Sequence, residues 1–513
     1  MQNKSIMIQG TGSHVGKSIL VCALCRILKQ DGFNVAPFKA QNMALNSFVT
    51  KDGKEMGRAQ VAQAEAAGIE PMVEMNPILL KPTGDCGSQV VIMGKPVGNM
   101  TAKEYYQKKG AFVSVIQDAY AVLQRQFDII VIEGAGSPAE INLKDGDIVN
   151  MGMAKMASAP VLLVTDIDRG GAFAWIVGTM ELLEDDEKER VKGIVFNKFR
   201  GDKIILKPGL EMLERRIAKP VVGVVPYLHD LCIDDEDSVS LENYRGNNNS
   251  KEKKCLDIVV LKLPRISNFT DFNALAQEDE VAMRFVDNAD EIGNPDMLII
   301  PGTKNTIGDL RFLKERGIPQ KITALSKNGA MLVGICGGYQ MMGKQINDPH
   351  HIESQEKSIA GMGLFNIVTT FDVTKQTFQV KAKVGTHKPF AGVKEDIQGY
   401  EIHMGRTIFE DECDHTPFAR ITERAGNQVD IPDGCVSHDG NIIGTYIHGI
   451  FDNDEFRSGL ICFMKQKKGI QAANGNAIKP RKTKDDRYAT LAEVVRKNIN
   501  MKMVYDILQI PRS

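Results

Sequence analysis

Short apolar runs alternate with longer helical patterns along this chain, and this alternation limits its possible folds more than any other feature. Strands that are apolar throughout are buried on both faces, which is typical of parallel sheets covered by helices. The sequence therefore predicts an α/β fold with two doubly wound, mainly parallel sheets. The first set of runs is 5–9, 128–132, 161–165, 193–196 and 221–225, and the second is 256–261, 297–300, 331–335 and 442–446.

A polar stretch between the two sets of runs indicates a domain boundary. Residues 244–254 (YRGNNNSKEKK) lack apolar periodicity and are typical of a linker. A length of 513 residues is enough for two large domains and a smaller segment. We predict a first domain over 1–245, a linker over 246–254, a second domain over 255–460 and a C-terminal helical segment over 461–513. Within that segment the pattern predicts one helix from about 488 to 508.

Composition excludes several classes of protein. The formal net charge is −2, and no domain is basic enough to predict a nucleic-acid partner. No apolar stretch approaches the ~18 residues that a membrane span needs, and the N-terminus does not have the pattern of a signal peptide. The nine cysteines have no regular spacing, which argues against a disulfide framework. We therefore expect a cytoplasmic protein that acts on small molecules, without a membrane or nucleic acid.

A glycine-rich segment between the first predicted strand and a helix over 19–29 predicts a phosphate-binding loop. Glycines let backbone N–H groups surround a phosphate, and the helix N-terminus adds partial positive charge. Lys17 can reach the terminal phosphates of a nucleotide. Thr11 stands where the usual pattern has glycine, so the loop is a variant. The residues expected to bind the nucleotide phosphates are Gly10, Thr11, Gly12, Gly16, Lys17 and Ser18.

Other polar residues follow neighbouring strands of the same predicted sheet. The Ser18 hydroxyl is a ligand for Mg²⁺ in loops of this kind, and Glu133 ends a strand where a second metal-organising carboxylate belongs. Asn197 follows another strand and could contact the base of the nucleotide. Ligands bind beyond the carboxyl ends of parallel strands, so we expect these residues to share one crevice. The cofactors predicted are ATP and Mg²⁺.

A cysteine in the second half of the chain has the sequence context of a catalytic nucleophile. Cys336 ends the apolar run 331–335 and is followed at once by Gly337 and Gly338, which predicts a sharp strand-to-helix turn. Such a turn exposes the sulfur and points backbone N–H groups toward it, and both effects favour a reactive thiolate. His448 follows the apolar run 442–446 and is the candidate base.

Several long blocks of this sequence are similar to those of the cobyric acid synthase family of glutamine-dependent corrinoid amidases. The resemblance covers nearly the whole chain and implies a dethiobiotin-synthetase-like P-loop domain followed by a class I glutamine amidotransferase domain. The blocks are 37–47 (PFKAQNMALNS), 57–60 (GRAQ), 63–68 (QAEAAG), 75–82 (MNPILLKP), 133–143 (EGAGSPAEINL), 166–171 (DIDRGG), 197–202 (NKFRGD) and 399–405 (GYEIHMG).

The resemblance implies that the C-terminal domain takes ammonia from glutamine. Cys336 would attack the side-chain amide, and His448 would protonate the departing ammonia. The oxyanion of the intermediate needs fixed donors, for which the backbone amides of Gly337 and Gly302 are the candidates. Tyr339 and Gln340 would line the glutamine pocket, and these two residues complete the predicted glutaminase site.

The resemblance also implies what the N-terminal domain does. Mg-ATP would phosphorylate a carboxylate of the corrinoid, and ammonia would displace the phosphate to form an amide. The family amidates the b, d, e and g side chains of the a,c-diamide. We expect the corrinoid to lie across residues 38–47 and 133–143.

One position departs from the broader amidotransferase pattern. Most members have a glutamate two residues after the catalytic histidine, where this chain has Ile450. The imidazole of His448 would therefore act in a dyad unless Glu401 or Asp439 reaches it. His403 is the rival base.

Three other functions share part of these features. Cobyrinic acid a,c-diamide synthase performs the same chemistry on other carboxylates, but the blocks at 38–47 and 399–405 favour the first choice. A P-loop positioning ATPase with a degenerate amidotransferase domain would typically have an additional lysine early in the loop, where this chain has Thr11 and Gly12. Dethiobiotin synthesis would leave residues 255–460 without a function.

Overall fold

The computed structural model describes residues 4–84, 87–228, 254–410, 415–470 and 483–511. The strands are β1 Lys4–Gly10, β2 Val35–Phe38, β3 Gln41–Met43, β4 Ser47–Val49, β5 Glu55–Gly57, β6 Ile78–Pro82, β7 Gly87–Ile92, β8 Lys95–Thr101, β9 Ile129–Glu133, β10 Val161–Asp166, β11 Val191–Phe199, β12 Val221–Pro226, β13 Leu256–Leu261, β14 Val281–Val286, β15 Met297–Ile300, β16 Met331–Ile335, β17 Gln345–Asn347, β18 Ser358–Ala360, β19 Ile367–Val384, β20 Ile397–Phe409, β21 His415–Thr416, β22 Ala419–Arg424, β23 Asn427–Asp433, β24 Cys435–Ser437 and β25 Ile442–Thr445.

The α-helices connect and cover these strands. They are α1 Lys17–Gln30, α2 Arg58–Ala67, α3 Ala102–Lys108, α4 Phe112–Gln126, α5 Met151–Met156, α6 Ala172–Leu182, α7 Asp185–Arg190, α8 Lys203–Ile217, α9 Asn273–Ala276, α10 Ala289–Ile292, α11 Thr306–Glu315, α12 Ile318–Lys327, α13 Gly337–Met342, α14 Asp454–Lys467, α15 Lys484–Asn498 and α16 Met501–Leu508.

The first unit is built on a six-stranded sheet in the order β12-β11-β10-β1-β9-β2. All its strand pairs are parallel, because each strand is followed by a crossover rather than a tight hairpin. The strands β1, β9 and β10 are buried along nearly their whole length. The predicted parallel sheet is confirmed, with the addition of edge strand β2, whose four residues include Pro37.

The second unit is built on a seven-stranded sheet in the order β14-β13-β15-β16-β25-β24-β21. Pairs from β14 to β25 are parallel, and the last two are antiparallel. The predicted α/β fold with two mainly parallel sheets is therefore confirmed. Strands β15, β16 and β25 are neighbours, so the loops that follow them meet at one edge of the sheet.

A large, mainly antiparallel sheet in the second unit was not predicted from the sequence. Its strands have the order β18-β17-β19-β22-β23, with β20 also paired to β19. Strand β19 is exposed over much of its length, and its polar residues hide the apolar alternation on which the prediction rested. Strand β20 carries the block 399–405 and brings it to the edge of the parallel sheet, because Tyr400 and His448 form an antiparallel bridge.

The C-terminal segment differs from the prediction in two ways. The helix expected over 488–508 is two helices, α15 and α16, because Ile499 is extended and bridges Gly223 at the edge of the first sheet. The Asn500 side chain then accepts a hydrogen bond from Met503 N and begins α16. The predicted boundary at residue 460 falls inside α14, and the predicted linker over 246–254 lies outside the described residues except for residue 254.

Both C-terminal helices pack on the first unit. The Tyr488 hydroxyl donates to Glu65 at 2.6 Å, and Arg496 pairs with Asp31 at 2.6 Å. Apolar residues of α15 and α16 join the same core as α1. The first unit therefore consists of residues 4–228 and 483–511 among those described, and the second unit of residues 254–470. No helix in these described ranges is long and apolar enough to cross a membrane.

Candidate active sites

Cys336 occupies the turn between β16 and α13, as the sequence predicts. Its backbone has φ 52° and ψ −109°, a strained conformation for a residue with a side chain. The turn is held by close packing, because a Cβ atom at Gly338 would lie 1.9 Å from the Ile300 carbonyl oxygen. The Cys336 backbone N–H donates to Thr445 O at 2.8 Å. The thiol is thus fixed at the edge of the sheet, but the predicted exposure of the sulfur is wrong, because only 8% of the residue is exposed and Sγ packs against Ile402 O.

His448 lies just beyond β25, next to Cys336, and is paired with a carboxylate. Its Nδ1 atom is 2.6 Å from Asp271 Oδ2, and both side chains are almost fully buried. Burial alone would lower the pKa of His448, but the Asp271 carboxylate and a hydrogen bond with Cys336 together raise it to about 10. The arrangement favours an imidazolium beside the thiol, with Asp271 fixing the ring.

The carboxylate that orients His448 is therefore not one of those the sequence suggested. Glu401 pairs with Arg424 at 2.7 Å, and Asp439 accepts hydrogen bonds from Ser437 and Asn441 on the surface. The predicted Cys336–His448 dyad is therefore corrected: Cys336, His448 and Asp271 are arranged as a triad.

Asp271 lies in the loop after β13, whereas His448 follows β25. It lies in a short 3-10 turn, Phe269–Phe272, in the connection that follows β13. Because β13 and β15 are adjacent parallel strands, this connection reaches the same edge as the loops after β15 and β25. The sequence does contain a signal for Asp271, because polar residues follow the buried strand β13 and ligand sites cluster at the carboxyl ends of parallel strands.

His403, the rival base, packs against Tyr446. Its Nδ1 atom contacts Gly405 O at 2.8 Å, and its ring stacks on Tyr446 with centroids 3.9 Å apart. The Nε2 atom is buried, 3.7 Å from Glu401 Oε1. His448 is therefore the histidine that contacts the thiol.

The two loops expected to supply oxyanion donors are in contact. A Cβ atom at Gly337 would lie 2.8 Å from Thr303 Cγ2, so the Cys336 turn and the loop after β15 touch. A Cβ atom at Gly302 would lie 3.0 Å from His448 Cε1, so this loop also adjoins the imidazole. Gly302 thus lies next to His448, and Gly337, which follows Cys336, lies next to the loop that carries Gly302.

Tyr339 and Gln340 differ in their surroundings. The Tyr339 ring packs edge-on against Phe365 and Tyr446 and fills the space left by Gly444, so the structure gives it a packing role in the core rather than the predicted role in glutamine binding. Gln340 receives a hydrogen bond from Thr306 at 3.3 Å and donates one to the Tyr446 hydroxyl at 3.2 Å. Its side-chain amide therefore links α13, the helix that follows Cys336, to α11 and to the loop after β25.

The phosphate loop of the first unit is formed as predicted, between β1 and α1. Lys17 folds back and donates to the carbonyl oxygens of Gly12 at 3.0 Å and Gly136 at 3.1 Å. At the other end, Thr11 contacts β10 through a backbone hydrogen bond to Val164 O, and Gly10 is too crowded for a side chain. The loop therefore lies between the ends of β9 and β10.

Asn197 supports the loop directly. Its Nδ2 atom donates to Val15 O at 2.9 Å. A Cβ atom at Gly16, where φ is 94°, would lie 2.1 Å from that Nδ2 atom, so glycine is required there. Asn197 thus lies against the backbone of the loop.

Glu133 is buried next to the phosphate loop of the first unit. Its Oε1 atom accepts hydrogen bonds from Ser18 Oγ at 2.8 Å and Lys39 Nζ at 2.9 Å, and Oε2 accepts from Gln63 at 2.5 Å. Serine hydroxyl and carboxylate oxygens are ligands that Mg²⁺ accepts together with phosphate oxygens and water. The pair Ser18 and Glu133 fits this ion. The described residues contain no group of three or more His, Cys, Asp or Glu side chains placed to hold a metal.

Comparison with known families matches both units. Residues 6–241 match the CobQ/CobB/MinD/ParA nucleotide binding domain, and residues 257–456 match the CobB/CobQ-like glutamine amidotransferase domain. The first range contains the phosphate loop, and the second contains the turn at Cys336. PurLQS from Thermotoga maritima, a solved structure, is 18% identical over 41% of this chain and 99% of its own, with a TM-score of 0.33, a level that adds nothing to the assignment.

Full-length relatives are much more similar. Cobyric acid synthase of Desulforamulus reducens is 52% identical over 98% of this chain and 98% of its own. Cobyric acid synthase of Alkaliphilus metalliredigens is 52% identical over 98% of this chain and 99% of its own, and that of Moorella thermoacetica is 53% identical over 92% and 91%. The chain is thus an ATP-dependent, glutamine-hydrolysing amidoligase, and it belongs to the cobyric acid synthase family.

Proposed function

We propose that this enzyme amidates the b, d, e and g carboxylates of cobyrinic acid a,c-diamide, with ATP as the phosphoryl donor and glutamine as the nitrogen source. The observation that carries the proposal is that one chain contains both sites. In the second unit the strained turn at Cys336 lies beside the buried His448–Asp271 pair, and in the first unit the phosphate loop lies beside the buried carboxylate of Glu133. Neither half performs the overall reaction alone.

The second unit is the proposed glutaminase. The Cys336 thiolate attacks the side-chain carbonyl of glutamine, and the backbone amides of Gly302 and Gly337 stabilise the oxyanion. The His448 imidazolium donates its Nε2 proton to the departing nitrogen, which leaves as ammonia, and a thioester remains. Neutral His448 then takes a proton from water as the water oxygen attacks the thioester carbon. The C–S bond breaks, which restores the Cys336 thiolate and releases glutamate, whose new carboxyl group gives its proton to solvent. Asp271 keeps the Nδ1 proton in place throughout, so that Nε2 performs both transfers.

The first unit is the proposed synthetase. A carboxylate of the corrinoid attacks the γ-phosphate of ATP, giving an acyl phosphate and ADP. Ammonia then attacks the acyl carbon, and inorganic phosphate leaves as the amide forms. Lys17 would turn from its carbonyl partners to the terminal phosphates, where its charge offsets theirs. Mg²⁺ held by Ser18 and Glu133 would neutralise the phosphate charge, and Asn197 would hold the loop and lie close to the nucleotide.

The corrinoid is proposed to lie across the segments 38–47 and 133–143. These segments carry three of the large apolar side chains that the structure leaves exposed, Met43, Ile141 and Leu143. Exposed apolar side chains at a ligand site are favourable for a flat macrocycle, because its own apolar surface is removed from water with theirs.

We further propose a cytoplasmic location. The described cysteines, among them the exposed Cys462, are all free thiols. Free thiols persist where glutathione and thioredoxin keep the compartment reducing.

The test is incubation of the full-length enzyme with Mg-ATP, the a,c-diamide and glutamine that carries heavy nitrogen in its side-chain amide. We expect a product with one labelled nitrogen at each of the b, d, e and g positions, located by mass spectrometry and NMR. A parallel incubation with cobyrinic acid separates the alternative activity. Labelling of the a and c positions there, with an unchanged diamide in the first incubation, would contradict the proposal.

A further inference from the structure

The two units meet at the loop that carries Asp271. The Asn268 side-chain oxygen accepts a hydrogen bond from Ser47 N at 2.9 Å, and the Asn46 side-chain oxygen accepts one from Phe269 N at 3.1 Å. Each asparagine thus binds the backbone of the opposite unit. We call this reciprocal pair of hydrogen bonds the asparagine bracket. All its partners are buried or nearly so, which makes the two bonds stronger than they would be in water.

The bracket is directly joined to the residue that orients His448. Asp271 N donates to Asn268 O at 3.0 Å, and Asp271 Oδ2 then contacts the imidazole at 2.6 Å. Asn268 has φ 54°, the left-handed conformation that asparagine tolerates better than most residues. The backbone of this loop is therefore held in an uncommon conformation by a contact with the other unit.

A second contact reaches the same imidazole. The Tyr400 ring stacks on His448 with centroids 5.2 Å apart and an angle of 15°, and the two residues exchange backbone hydrogen bonds. The Tyr400 hydroxyl donates to Ser47 O at 3.4 Å. Residues 46 and 47 of the first unit therefore contact the supports on two sides of the His448 ring.

We propose that Asn46 and Asn268 are positioning residues for His448, so that the glutaminase site is completed by the synthetase unit. The inference rests on the proposed function and deepens it. Asn46 and Asn268 do not touch the reacting atoms. They fix the loop of Asp271, and Asp271 in turn fixes the imidazole. The segment 38–47, which contains Asn46, also contains Lys39. Lys39 pairs with Glu133 next to the phosphate loop, so one stretch of chain borders both candidate active sites.

The test compares bracket variants with a matched interface variant in the full-length enzyme. Asn46→Ala and Asn268→Gly each remove one acceptor, and glycine also tolerates the positive φ at 268. Asn268→Asp keeps the acceptor and is the rescue variant. Thr377→Val is the control, because Thr377 Oγ1 donates to Gly53 O at 2.8 Å across the same interface, outside the asparagine bracket.

Two measurements separate positioning from folding. We expect kcat for glutamine hydrolysis to fall about three- to tenfold in Asn46→Ala and Asn268→Gly, as for loss of one hydrogen bond, with KM for glutamine changed less than about twofold. The rate of Cys336 alkylation by iodoacetamide at neutral pH should fall with kcat, because the imidazolium that stabilises the thiolate is less well held. Thr377→Val and Asn268→Asp should stay close to the parent in both measurements.

The results that would overturn the inference are distinct from those that would overturn the function. If the bracket variants matched Thr377→Val, or if only KM for glutamine rose, the positioning role would be wrong. In Asn268→Gly, which lies outside the segments proposed to bind the corrinoid, a parallel loss of amidation with ammonium chloride would also contradict it, because that reaction does not use His448. The alkylation measurement needs neither corrinoid nor ATP, so it tests the bracket even if the proposed corrinoid substrate is wrong.

Discussion

Replacing Asp271 by asparagine is the sharpest test of the candidate glutaminase site. Asp271 accepts from two donors, His448 Nδ1 at 2.6 Å and Gly449 N at 3.2 Å, with one oxygen each. Asparagine offers one acceptor oxygen and one NH₂ group. If the NH₂ group faces Nδ1, the ring proton is forced onto Nε2, where it cannot accept the thiol proton. If the oxygen faces Nδ1, the NH₂ group opposes the Gly449 N–H, so both orientations are unfavourable.

The size of the effect follows from the same contact. The rise in the pKa of His448 to about 10 corresponds to a net preference of about 5 kcal/mol for the imidazolium, which remains after the contacts with Asp271 and Cys336 have offset the cost of burial. A hydrogen bond to a charged group contributes about 1.5–3 kcal/mol net, or about 10- to 150-fold in rate. We therefore expect Asp271→Asn to lower kcat for glutamine hydrolysis by a factor in this range, with little change in KM.

The assay is release of glutamate from glutamine in the presence of ATP and the diamide. Amidation with ammonium chloride serves as the internal control and should be nearly unchanged, because only the ammonia source is affected. Asp439→Asn is the matched variant, since this exposed carboxylate was a candidate from the sequence and lies on the surface. Parent-like glutamate release by Asp271→Asn, or an equal loss in Asp439→Asn, would refute the reasoning.

Three other changes test the remaining steps. Cys336→Ala should abolish glutamine-dependent amidation while amidation with ammonium salts persists, measured by product mass; failure with free ammonia would show that the two activities are not divided in this way. Lys17→Ala should lower both ATP hydrolysis and amide formation by at least about tenfold, because a charged contact to the phosphates is lost, and normal turnover would contradict its role. The pKa of His448 is raised in the folded state, so its contribution to stability is complete below about pH 6.5 and is lost as pH rises through about 10. Denaturant unfolding should therefore show stability falling by up to about 5 kcal/mol over that range, and the slope should flatten in Asp271→Asn, whereas an equally steep slope in the variant would assign the effect to other groups.

The sequence was most informative where burial is complete on both faces. Strands β9 and β16 are fully buried and almost entirely apolar, so their position and the turns that follow them could be predicted. Strands β19 and β20 could not, because a half-exposed antiparallel strand mixes polar and apolar residues and is set by its partner rather than by its own pattern.

The same reasoning explains which site residues were found. Cys336 and Lys17 lie in local motifs, where a turn or loop is encoded by a few consecutive residues. Asp271 is 177 residues from His448 in sequence, and only the adjacency of their strands in the sheet brings them together. Glu401 and Asp439, the two carboxylates that the sequence suggests for this role, are both engaged elsewhere. Tyr339 shows the converse, since a residue inside a motif can serve packing rather than substrate.

The return of α15 and α16 to the first unit has a consequence for how the polypeptide can be dissected. The nitrogen-releasing half is topologically an insertion, because chain segments on both sides of it build one core around α1. A fragment that stops at the boundary between the halves would lack the helices that cover this core, and it would leave apolar surface in water. During synthesis, likewise, the ATP-using half is not finished until the ribosome has translated α15 and α16, because about 1.5 kcal/mol of ordering entropy per residue must be offset by contacts that these helices supply.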